Sequence, residues 1–262
     1  MQENYTIPRV NGHIHTPYSF SAFESIEQAL KLSVNEDIKV LGINDFNTVD
    51  GYDEFYENCI LNKVYPLFNI EFIGLLKDMQ QQNLRINDPN NPGRIYLSGK
   101  GLSYPFKLQQ EFKDKINSLQ KLSNSHSIKL IDRVNEYFCS INIPVKLDFE
   151  AIKTIFTKGL VRERHIAKAV RIAICNITQD SYPIDEVFVN LFNDKQFKQT
   201  KQNNALFENV LRNFLLKTGG PAFVPEDETA FLSINDLCEI IISAGGIPCY
   251  PVLLDDTKGN LT

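Results

Sequence analysis

Residues 9–71, RVNGHIHTPYSFSAFESIEQALKLSVNEDIKVLGINDFNTVDGYDEFYENCILNKVYPLFNIE, set the architecture. An extended stretch runs through Val10, a helical pattern follows, and a compact apolar run occupies 38–43. This order predicts β-α-β. Ser21 or Ser25 serves as an N-cap ahead of Glu24 and Glu27, while Ile26, Ala29, Leu30 and Leu32 recur at helical spacing. Residues 51–62 then read as a second helix turning Tyr52, Phe55, Tyr56 and Cys59 inward, and 64–70 as a third short buried strand. Three strands joined by two helices imply a parallel sheet with right-handed crossovers.

Outward from this core the pattern changes. Residues 77–106 include NDPNNPGRIYLSGKGLSYP, too dense in Asn, Pro and Gly for a helix or a regular strand, and are expected to be a long loop. From 107 to 217 the periodicity is helical throughout: Phe112/Ile116/Leu119, Ile128/Ile131/Val134/Phe138, and Ile152/Ile155/Phe156 behind an Asp148 cap. That block is expected to be an all-helical insertion acting as a lid. The first-unit rhythm resumes in 218–262, where Ser233 caps a helix carrying Leu237, Ile240 and Ile241, and Gly245-Gly246 ends it before the strand-like IPCYPVLL.

With 262 residues, 43% of them apolar and 23% charged, the chain has ample material for a large core. The net charge of −5 and the absence of a basic stripe with interleaved aromatics argue against extended nucleic-acid binding. MQENYTIPRV lacks the pattern of a secretory signal, and no apolar run reaches membrane-span length, so a cytoplasmic location without membrane association is expected. Five dispersed cysteines read as reduced thiols.

His13 and His15 stand two apart where the first strand ends, so their side chains project to one side and can share a metal. Asp45 follows the second strand and Glu71 the third, which places four candidate metal ligands at the same end of successive parallel strands. A mixed imidazole and carboxylate set suits zinc, manganese or iron better than calcium. The bland alternative for each carboxylate is a cap or loop role. Lys100, between small neighbours in SGKG, is a candidate for holding an anion. Arg164 opens a helix, where a solvated RER face is the plain reading.

These segments resemble the PHP (polymerase and histidinol phosphatase) superfamily. NGHIHTPYSFS resembles its first motif, GINDFNTVDGY the second, NIEF the third, VRERHIAKAV the Arg/His helix of an inserted helical domain, and AGGIPCYPVL the strand that usually ends Ala-His-Pro. The resemblance runs through the whole chain. It implies an α/β fold of the distorted (β/α)7 barrel type carrying a metal-dependent phosphoesterase site. One or two divalent ions would be held by His13, His15, Asp45 and Glu71. Arg164 and His165 would face the metals and bind a small phosphorylated substrate, with nucleotides included in that class.

The departures are equally specific. Phe46 stands where the family has His, Phe20 where it has an acid, and Tyr250 where it has the His of Ala-His-Pro. No His follows Glu71 until His126, leaving Asn87 or Asp88 as the nearest polar substitutes. A full three-metal site is therefore not expected, and a degenerate domain that binds metal or ligand without turnover is the alternative. Polymerase-associated editing is a further rival, disfavoured by the charge. Only four strands are countable, ending near His13, Ile43, Ile70 and Leu254, so the barrel is expected to be incomplete at the C-terminus.

Overall fold

The computed structural model describes residues 7–89, 91–180, 184–192 and 204–252. The chain divides into two compact units, Met1–Gln120 with Asp227–Thr262, and Lys121–Glu226.

The first unit is built on a five-stranded sheet in the order β1 (Arg9–Ile14), β2 (Ile38–Phe46), β3 (Tyr65–Leu75), β4 (Arg94–Lys100) and β5 (Ile247–Cys249). β1, β2 and β3 pair in parallel through α1 (Ile26–Asn35) and α2 (Tyr52–Leu61), as the sequence predicts. Ser25 is the cap of α1, its hydroxyl accepting from the Gln28 backbone. Ser21 instead donates to the His15 carbonyl. Tyr56 does not turn inward; it is exposed on α2 and stacks on Tyr104.

The expected loop at 77–106 is corrected by the structure. It contains a short helix, α3 (Lys77–Gln81), and β4, which runs antiparallel to β3 from Ile70↔Gly99 to Leu75↔Arg94. Gly93 makes the return tight: its φ of +73° is left-handed, and a side chain there would collide with Gln80 and the Leu76 carbonyl. β4 covers the free side of β3, and β5 adds antiparallel to β4. Among the described residues the sheet is mixed and open, with β1 and β5 at its edges. Of the expected last strand, Ile247–Cys249 form β5, while Leu253 and Leu254 lie outside the described residues.

One face of the sheet carries the core. Ile43, Phe68, Ile70, Phe72 and Leu97 pack with Ile26 and Leu30 of α1 and Phe55 and Cys59 of α2. Leu237, Ile240 and Ile241 of α9 (Ile234–Ser243) join the same cluster, and Ser233 caps α9 as expected. The first turns of α4 (Gln110–Ser140) also belong here, because Ile116 and Leu119 are buried in this cluster. That packing moves the unit boundary past Gln120, away from the 107 expected from periodicity.

The second unit has its own core. Val134 and Phe138 of α4, Ile152 of α5 (Phe149–Phe156), Ile166 and Val170 of α6 (Glu163–Asp180), Phe188 of α7 (Ile184–Phe192) and Leu211 of α8 (Asn204–Leu216) are buried together. Ala222 joins them, which carries this unit beyond the expected end at 217. His126 lies within α4. Among the described residues no helix is long and apolar enough to cross a membrane.

Candidate metal centre

The opposite face of the same sheet is polar, and its composition follows from register. Phe46 pairs with Glu71, Glu71 with Ser98, and Asn44 with Asn69, so strand alternation sends these side chains to one side while Asp45 and Ile70 go to the other. On β1, Asn11 pairs with Leu41 but Ile14 with Ile43, which leaves one extra residue in β1. Such a bulge bends a strand and re-aims its side chains. Here it falls at Gly12 and His13.

Three side chains converge. His13 Nε2 lies 3.5 Å and His15 Nε2 3.4 Å from Glu71 Oε2, and the two imidazole nitrogens are 3.3 Å apart. Ligands at bond lengths of 2.0–2.1 Å around a tetrahedral metal are separated by about 3.3–3.4 Å. Two neutral imidazoles and a carboxylate are also an ordinary catalytic donor set for a transition metal. The residues present therefore fit a divalent ion. Glu71 is buried, His15 half-buried, and His13 open to solvent, so access is from the His13 side.

Asp45 is not part of this cluster. The structure brings together His13, His15 and Glu71 only, and Asp45 projects from the other face of β2. Its Oδ1 accepts from the Thr16 backbone N–H at 2.7 Å and the Ser19 hydroxyl at 2.6 Å, and its Oδ2 from the Thr16 hydroxyl. Burial pushes its pKa up to about 6, outweighing the hydrogen bonds that favour the ionised form. Asp45 holds the turn that presents His15. Nor do Asp45 and Glu71 follow their strands; they lie inside β2 and β3, the latter continuing to Leu75 because β4 pairs with it.

Asn44 takes the place that Asp45 was expected to fill. Its Nδ2 lies 3.0 Å from His13 Nε2 and 3.4 Å from both Glu71 Oε2 and Ser98 Oγ. Lys100 Nζ donates to Asn44 Oδ1 at 2.9 Å and to the Gly12 carbonyl at 3.3 Å. An ammonium only donates, so Asn44 must turn its oxygen to Lys100 and its NH2 to His13. His13 Nε2 is then the unprotonated nitrogen, which is the tautomer a metal at that atom requires. Burial lowers the pKa of Lys100, and the Glu71 charge works against that fall.

Aromatic rings enclose the centre. The His15 ring stacks on Phe20 at 4.5 Å and on Phe46 at 5.1 Å, with Phe20 and Phe46 5.7 Å apart. Neither can ligate. Asn87 is a structural clamp that donates to the Tyr96 and Pro251 carbonyls and accepts from the Tyr96 N–H, and Asp88 accepts from Asn91.

Arg164 and His165 belong to the second unit. His165 sits in the first turn of α6, where its Nδ1 accepts the Arg162 backbone N–H at 3.0 Å. This is the reciprocal half of a capping box, with His in the position usually held by Glu or Gln. Burial, reinforced by Arg162 and Lys168, holds its pKa down to about 4. Arg164 is also below its ordinary value, chiefly through burial and then through Arg212.

Fold and site together define an α/β protein with a candidate metal centre on one sheet face. The chain belongs to the PHP domain family, whose model matches residues 11–162. It is similar to the DNA polymerase III subunit alpha of Staphylococcus aureus strain MRSA252, 36% identical over 78 residues that cover 25% of this chain and 7% of that protein. The same subunit of strain N315 is 37% identical over 59 residues, covering 22% of this chain and 6% of the relative. The matched part thus spans a small fraction of those polymerase subunits. Among solved structures, an amidohydrolase from Chromobacterium violaceum, with bound sulfate and no metal, superposes with a TM-score of 0.61 at 11% identity, covering 92% of this chain and 66% of that one. A protein from Bifidobacterium adolescentis assigned as a metal-dependent phosphoesterase gives 0.53 at 13% identity, covering 93% and 66%. At those identities the likeness is one of fold.

Proposed function

We propose that this chain is a metal-dependent phosphoesterase-like hydrolase acting on small phosphorylated molecules, nucleotides among them. The convergence of His13, His15 and Glu71 in a member of the PHP domain family carries this reading. A divalent ion of zinc, manganese or iron would supply Lewis acidity and lower the pKa of water. The chain's own residues do the rest. Glu71 and the two imidazoles fix the ion's place, the Phe20–His15–Phe46 stack keeps bulk water from one side, and Lys100 offers an ammonium to a phosphoryl oxygen. The His165 imidazole is engaged in starting α6.

The test is hydrolysis of a phosphomonoester panel with added manganese, compared with the His13→Ala/His15→Ala variant. Activity in the parent and none in the variant is expected. Equal rates in both would refute the reading, and metal binding without turnover on any ester would favour a catalytically degenerate PHP domain. The likeness to polymerase subunits favours a second reading, a PHP domain that serves a replicative polymerase. Removal of nucleotides from a labelled DNA 3′ end, in place of phosphomonoester hydrolysis, would select it.

A further inference from the structure

Lys100 is a half-buried ammonium whose hydrogen bonds go to two neutral oxygens, Asn44 Oδ1 at 2.9 Å and the Gly12 carbonyl at 3.3 Å. Among the described residues no carboxylate lies within ion-pair distance of it. An ammonium has three donors, and removing it from water without a paired anion is costly. Its position is equally specific. Ile70 pairs with Gly99, so Lys100 falls beside Asn69, on the same face as Glu71, and one Asn44 amide group separates its Nζ from His13 Nε2.

The same face lacks the donors for a second ion. Among the described residues His13, His15 and Glu71 are the one group of three that could hold a metal. Phe20 and Phe46 fill the space beside the His15 ring, their centroids 4.5 and 5.1 Å from it and 5.7 Å from each other. Asn44, whose strand position would suit another ligand, has its oxygen engaged by Lys100 and presents its NH2 group, a donor, toward the metal ligands. A second divalent ion placed there would meet Lys100 at close range and be repelled.

We propose that this centre takes a single divalent ion and that Lys100 is its second cation, binding a phosphoryl oxygen across from the metal. One divalent ion, the Glu71 carboxylate and the Lys100 ammonium sum to two positive charges, which match a phosphomonoester dianion. Asn44 sets the spacing between the two cations. The inference rests on the site reading above, including Lys100 as an anion contact, and adds the ion count and the replacement of a second ion by Lys100.

The experiment loads the full chain with manganese or zinc, removes excess metal by gel filtration, counts ions by emission spectroscopy, and titrates inorganic phosphate calorimetrically. The parent is expected to hold one ion per chain. Lys100→Met should keep that ion while phosphate affinity falls roughly tenfold to a hundredfold, the worth of a hydrogen bond to a charged group. Lys100→Arg should restore most of the affinity. If Lys100→Met does not fold, Lys100→Gln carries the same comparison. Two ions per parent chain, or phosphate affinity unchanged in a folded Lys100 variant, overturns the proposal. A parent that binds no metal at all removes the site reading on which it rests, and is distinguished by the ion count alone.

Discussion

Thr16 donates its backbone N–H to Asp45 Oδ1 at 2.7 Å, tying the turn that follows His15 to the second strand. Ser19 adds a second donor to the same oxygen. Asp45→Ala would leave these buried donors without their acceptor, at a cost of about 1–3 kcal/mol. We expect lower stability in urea, weaker metal affinity because His15 is less well held, and an unchanged number of bound ions. Loss of the ion in a variant of parental stability would instead make Asp45 a ligand.

Metal should act on the first unit through its three ligands. At a hundredfold excess over its dissociation constant an ion bound only by the folded state stabilises by about 2.7 kcal/mol. Hydrogen exchange read by mass spectrometry should show added protection in β1 and β3 when metal is present, reversed by a chelator. The His13→Ala/His15→Ala variant should contain no metal by emission spectroscopy and show no such gain. Unchanged metal content in that variant would remove the assignment.

His165 gives a pH dependence of definite sign. Its folded-state pKa of about 4 lies below the ordinary 6.5, so folding favours the neutral ring. The contribution is complete above pH 6.5 and is lost as pH falls through 6.5 toward 4, by up to about 3 kcal/mol at about 1.4 kcal/mol per unit. Protonation at Nδ1 also cancels the acceptor for the Arg162 N–H. Urea unfolding at pH 7 and pH 5 should show this slope in the parent. His165→Gln, which preserves a capping acceptor without titrating near pH 5, should flatten it; equal slopes in both proteins would rule His165 out.

How much of this was legible in the sequence differs by element. β1-α1-β2-α2-β3 was readable because each strand is a compact apolar run and each helix carries its own cap or periodicity. β4 was not, since Ile95, Tyr96 and Leu97 are embedded among Asn, Pro and Gly, and only pairing with β3 makes them a strand. His13, His15 and Glu71 were identified from residue type and spacing. Asp45 reads as a ligand from its carboxylate, yet adjacent strand residues face opposite ways and the register that turns Asp45 away and Asn44 toward the site exists only in the sheet. The bulge at Gly12 and His13 likewise has no sequence signal apart from the glycine itself. His165 could have been read as a cap, since it stands three residues after Arg162 at the start of a helical pattern, a position where an acceptor is common.

Phe46 offers the sharpest test of what the altered residues do. It pairs with Glu71 across β2 and β3, faces the metal ligands, and lies parallel to the His15 ring at 5.1 Å. Phe46→His therefore brings a third imidazole to a centre that already has two and a carboxylate, completing the four protein ligands of a closed tetrahedral site. Without metal the variant should be less stable by about 1–2 kcal/mol, because a buried aromatic surface is replaced by a smaller polar ring. With metal it should regain that loss and bind the ion roughly tenfold or more tightly, while the count stays at one per chain because Lys100 still opposes a second ion. Thermal unfolding with and without zinc, together with a competitive chelator titration, measures both quantities. Unchanged affinity in a folded Phe46→His protein would mean that position 46 does not reach the ion, and that Phe46 serves only to pack against His15.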